Sequence, residues 1–141
     1  MKTISIFLLF LFTTFAGAAE SESTPLVDQR IAVYLDSHQK AFVLERMRRM
    51  LETLTAIQTD LLNEQPENTV KRVESLMLFT RGNHPEGLRD VMPPAFRQIS
   101  RSMNQQWQVL LQENKEPKHI QHTVTTIMSS CNGCHRAFKI E

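Results

Sequence analysis

Cysteine is scarce in this chain: of 141 residues only Cys131 and Cys134 carry a thiol. There is no second cysteine pair, so the four ligands of a structural zinc site are not at hand. An excess of one charge is also missing. Sixteen Lys and Arg face fifteen Asp and Glu, a formal net charge of +1, and no basic surplus points to nucleic acid. No internal repeat and no low-complexity tract is visible. No βαβ pattern surrounds the cysteines, as it does in thiol–disulfide enzymes. No acid–base or nucleophile constellation stands out, so no enzyme is expected.

Long apolar runs are missing except at the start. Lys2 precedes a run from Ile4 to Phe15 that is broken only by Ser5, Thr13 and Thr14. Ala16-Gly17-Ala18 follows as an A-x-A cleavage site. This is the layout of a secretory signal peptide, and the run is short for a membrane span. Residues 1–18 are therefore expected to be removed, with Ala19 as the other possible end. In a bacterium the mature protein would be periplasmic. Losing Lys2 leaves fifteen basic against fifteen acidic side chains, on a remainder long enough for one domain with one core.

Both cysteines fall in Cys131-Asn132-Gly133-Cys134-His135. C-x-x-C-H is the pattern of covalent c-type haem attachment. Two thioether bonds from Cys131 and Cys134 would tether one haem c, and His135 would be an axial iron ligand. The surrounding segment reads as a helix, with Ile120, Val124, Ile127, Cys131, Cys134 and Phe138 at helical spacing. On a helix Cys131, Cys134 and His135 share one face and can meet one flat ligand. Gly133 costs a helix about 1 kcal/mol against alanine, and a small residue there would allow close approach of the macrocycle.

The rest of the mature chain reads as helices. Residues 19–36 form an extended leader, in which Ile31–Leu35 is strand-like but has no visible partner. Helix one is expected from about Ser37 to Leu62, capped by Asp36 or Ser37. Its apolar stripe is Phe42, Val43, Met47, Met50, Leu51, Leu54, Ile57, Leu61 and Leu62. Helix two spans about Glu67 to Thr80. Arg81 to Pro94 is punctuated by Gly82, Pro85, Gly87 and Pro93 and reads as irregular. Helix three runs from near Pro94 to about Glu113, and Pro117 suits the first turn of helix four. The expected fold is all-α: an antiparallel four-helix bundle over residues 37–141, with haem attached to the C-terminal helix.

With Cys131-Asn132-Gly133-Cys134-His135-Arg136-Ala137-Phe138-Lys139 on the last helix, the chain resembles the cytochrome c′ family. The aromatic and basic residues three and four after the histidine are part of that likeness. The resemblance implies haem packed between helices one and four, and a role in electron transfer or in binding diatomic gases. It also implies that the distal residue comes from helix one. High-spin members have an apolar non-ligand there, and low-spin members a methionine. Similar Met-ligated bundles have apolar residues three, seven and ten after the ligand. Met47 meets this with Met50, Leu54 and Ile57; Met50 meets it less well, with Thr53, Ile57 and Asp60. An arginine four residues before the distal position, as in high-spin members, would instead select Met50 through Arg46.

The expectation is a periplasmic one-electron carrier whose iron is held by His135 and Met47. Its partners would be redox proteins, with no nucleic acid, and the family likeness allows a homodimer. The alternatives are a five-coordinate form that binds nitric oxide or carbon monoxide, and a haem-free thiol or metal-handling protein. His38, His84, His119 and His122 are read as surface histidines.

Overall fold

The computed structural model describes residues 27–112 and 116–141. The expected signal peptide and residues 19–26 of the leader lie outside this range. The described residues are mostly helical, in agreement with an all-α class.

Helix α1, Ser37–Leu62, starts where a capping residue is available. Asp36 Oδ1 accepts from the Gln39 backbone N–H at 2.8 Å, and Gln39 Oε1 accepts from the Asp36 N–H at 3.3 Å. This reciprocal box satisfies two otherwise unpaired donors. Helix α2 is Asn68–Gly82, α3 is Leu88–Val91, α4 is Pro94–Leu110 and α5 is Pro117–Ala137. Both α4 and α5 carry proline at the first turn, where no amide donor is lost. The third long helix ends at Leu110, short of the expected Glu113, because the amide of Leu111 turns back to the Gln108 carbonyl at 3.2 Å.

Two departures from the sequence reading concern short elements. The expected irregular stretch contains α3. Gly87 enters the left-handed region at φ 69°, which turns the chain into that helix. Leu88 and Met92 at its two ends are buried. The second departure is a sheet. Strand β1, Ile31–Val33, pairs in parallel with β2, Phe138–Ile140, in the register Ile31 to Phe138 and Val33 to Ile140. The expectation of a strand without a partner is therefore corrected: its partner is the chain just after α5. A parallel pair needs a long crossover, and here α1 to α5 all lie within it.

Helix α1 packs on α2 and α5, while α4 packs on α5 and α2. Between them lies one apolar cluster that includes Leu54, Ile57, Val73, Trp107, Val124 and Ile127. Trp107 is 0% exposed, and a tryptophan buries on the order of 150–250 Å². A second cluster joins Val33 and Phe138 of the sheet to Phe42, Val43, Leu88 and Met92. Phe138 also meets Phe96 edge to face at 5.3 Å. Buried Asp60 accepts from Arg72 Nε at 3.0 Å and from Arg72 Nη2 at 3.2 Å, so its charge is matched by a forked donor.

Candidate functional site

The motif residues lie in the last two turns of α5, at the seam between the two apolar clusters. Half-buried Cys131 packs against the cluster of Trp107, and Cys134 against the cluster of Phe42. Met47, on α1, is also half-buried and packs against both. All three, together with His135, line one cavity of about 1040 Å³. This is just above the usual range of about 300–1,000 Å³ for small-molecule and cofactor sites. The sequence-selected residues thus converge on a single wall system, with Met47 and the motif contributed by different helices. Met50 lines the same cavity and is buried.

Both cysteines are free thiols. Burial pushes each thiol up from its ordinary value, and for Cys134 the neighbouring Cys131 adds to the effect. Their position near the C-terminal end of α5 acts in the same direction, because the helix dipole is negative there. A redox-active C-x-x-C needs the opposite, a thiolate favoured by a helix N-terminus or a nearby cation. His135 is exposed on its outer side and sits in the last turn, and its carbonyl accepts from Arg30 Nη1 at 3.4 Å. The N-terminal arm is thereby tied to the motif. Gly133 does not line the cavity, and a Cβ there would meet no protein atom within 4 Å. No protein neighbour demands glycine at that position.

One charged side chain is conspicuous inside the wall. Arg46 Nε is buried and has no hydrogen-bond partner among the described residues. Its Nη2 donates to Asn104 Oδ1 at 2.9 Å. Burial lowers the guanidinium pKa from its ordinary value, so a free donor beside the cavity calls for an acceptor, ideally an anion.

No protein-family model, curated protein or solved structure matches this chain.

The cavity itself is what can be tested against a ligand. Its walls are largely apolar side chains from α1, α3, α4 and α5, which suits a flat apolar body. Two thiols on one helical face, an adjoining imidazole and a thioether from a different helix suit a tethered iron porphyrin, and the unpartnered Arg46 Nε suits an acidic substituent on it. Among the described residues no group of three His, Cys, Asp or Glu is placed to hold a bare metal ion.

Sequence reasoning left part of the wall out. His84 lines the cavity and meets Phe42 edge to face at 5.7 Å, whereas exposed His119 and His122 do not line it. Met92, Met103 and Met128 join Met47 and Met50, so five of the seven methionines face one space. That concentration had a trace in the composition, since methionine fills irregular apolar surfaces. Arg89, Arg97 and Arg101 also line the cavity, and only the fold brings Arg89 beside the other two, which are i and i+4 on α4.

Proposed function

We propose that this chain is an exported monohaem c-type cytochrome of the four-helix-bundle type, acting as a one-electron carrier with iron held by His135 and Met47. The observation that carries the reading is the meeting of Cys131, Cys134, His135 and Met47 on one cavity. The cyclic order of neighbours, α1 to α2 to α4 to α5 and back to α1, supports the bundle. The raised thiols and their place at a helix C-terminus favour tethering over thiol redox chemistry.

Bound haem supplies one-electron exchange between ferric and ferrous iron. The protein's part is attachment, ligation and exclusion of water. Cys131 and Cys134 would hold the haem through thioether links to its vinyl groups. His135 on α5 and Met47 on α1 would serve as ligands to its iron. Thioether sulfur favours the ferrous state and so raises the reduction potential. Buried Val43, Met50 and Leu54 keep that side of the cavity dry, which limits solvent reorganisation and tunes the potential further. Arg46 would balance an acidic group of the ligand.

The test is a haem-stained denaturing gel of protein from cells that export and mature c-type cytochromes. The wild-type band stains, because a thioether link survives denaturation. The Cys131→Ser, Cys134→Ser double variant does not stain at equal protein loading. An unstained wild-type band, or a double variant that still stains, refutes the assignment.

A further inference from the structure

The cavity is unbalanced in charge. Arg46, Arg48, Arg89, Arg97 and Arg101 line it, and among the described residues no Asp, Glu or Lys does. The whole chain is nearly neutral, so this is a local concentration and not a reflection of composition. Arg48 is engaged by Glu45 on its own helix. Among the described residues, Arg46, Arg89, Arg97 and Arg101 have no carboxylate within ion-pair distance; Arg97 donates instead to the carbonyls of Arg89 and Met92.

Arg46 is sunk in the wall, but Arg48, Arg89 and Arg101 are exposed at its edge. Three apolar side chains share that edge: Leu44 is 42% exposed, Leu51 62% and Met128 45%. With Arg48 engaged by Glu45, the two propionates of a haem would still leave two of the five guanidiniums without a counter-charge. Apolar contacts bordered by unpaired arginine are the anatomy of a protein interface whose charge selects the partner.

We propose that this arginine-bordered mouth is the docking surface for a redox partner protein that presents an acidic patch. The inference rests on the electron-carrier reading, since the mouth gives access to the same cavity. A second copy of this chain is a poor occupant. A two-fold contact sets the same patch against itself, and arginine would face arginine.

Two variants of equal net charge separate the mouth from general electrostatics. Arg89→Glu with Arg101→Glu reverses two exposed cavity-edge charges. Lys71→Glu with Lys118→Glu reverses two exposed charges on α2 and α5 that do not line the cavity. A twenty-residue polyglutamate peptide serves as the acidic probe, with binding to the purified haem-loaded protein measured by calorimetry at low salt. Haem content is read separately from the alkaline pyridine spectrum, so loss of the cytochrome reading is distinguished from loss of the docking reading. The wild type binds polyglutamate, and binding weakens steeply toward about 0.5 M salt, where screening acts within a few ångströms. The cavity-edge pair weakens binding about tenfold or more, and the distant pair changes it by less than about threefold. Electron transfer from the reduced protein to hexacyanoferrate(III), an anion, slows in the cavity-edge pair, while transfer to the hexaammineruthenium(III) cation does not. Equal losses in both variants overturn the proposal. So does binding to phosphatidylglycerol vesicles without binding to polyglutamate, which would assign the mouth to a membrane surface.

Discussion

Replacing Met47 and Met50 by leucine separates ligation from packing. Leucine nearly conserves volume but has no sulfur. Met50 is 8% exposed and belongs to the main apolar cluster, while Met47 is only half-buried at the seam of both clusters. A Met to Leu exchange in a core costs less than about 1.5 kcal/mol, so both variants are expected to stay folded. Truncation to alanine acts differently. Met50→Ala is expected to cost about 2–5 kcal/mol, and Met47→Ala, with less surface to lose, about 1–2 kcal/mol from packing. For a domain of this size, thermal midpoints move by roughly 4 °C per kcal/mol. Met50→Ala should therefore melt some 8–20 °C lower while keeping the low-spin spectrum. Met47→Leu should melt near the wild type and lose that spectrum, including the weak red band of methionine bound to ferric iron. Carbon monoxide should then bind the reduced variant rapidly. The assay is visible absorption in both redox states beside a thermal melt of the same sample. If Met50→Leu is the variant that turns high-spin, the arginine register through Arg46 is right and Met47 is packing. A high-spin wild type refutes protein ligation from α1 altogether and favours gas binding.

Two further predictions concern the scaffold. The forked hydrogen bonds from Arg72 hold the Asp60 carboxyl below its ordinary value. A depressed folded value means the stabilisation is full above the unfolded pKa of about 3.9 and fades as pH falls through the folded one. The difference in urea midpoint between the wild type and Asp60→Asn should thus shrink from about pH 5 to about pH 2, and a difference independent of pH refutes the ion-pair account. In the sheet, Val33 is 1% exposed. Val33→Ala should cost about 2 kcal/mol in urea unfolding, and a neutral result would mean that β1 contributes little to the fold.

Legibility followed the length and local chemistry of each element. Helix α1 matched its expected limits because a capping residue precedes a long periodic stripe, and α5 began as expected because Pro117 marks its first turn. Helix α3 has four residues, too few to show a period, and its start depends on the conformation of Gly87. Strand β2 has three residues and continues from a helix whose periodicity runs through Phe138, so nothing local separated it from α5. In the candidate site, Cys131, Cys134 and His135 were legible from contiguous spacing, and Met47 from an apolar register. The arginine border was not, because Arg97 and Arg101, i and i+4 on α4, meet Arg89 of α3 and Arg46 of α1 on a common surface only after packing.

The parallel ladder also sets an order of events. Its two strands are held together by contacts about as far apart in sequence as this domain allows, including Glu141 N–H to the Val33 carbonyl at 3.0 Å. Closing so long a loop carries an entropic cost that only already packed helices can reduce. The ladder is therefore expected to close late, once the helices have packed. Until then β2, which follows α5 directly, lacks the backbone partner that β1 provides, and Arg30 is not anchored to the His135 carbonyl. On the proposed reading, in which Cys131 and Cys134 tether a haem, late closure of the ladder would leave the C-terminal flank of the motif unpaired while attachment takes place. The two strands would then act as a latch that closes behind the motif.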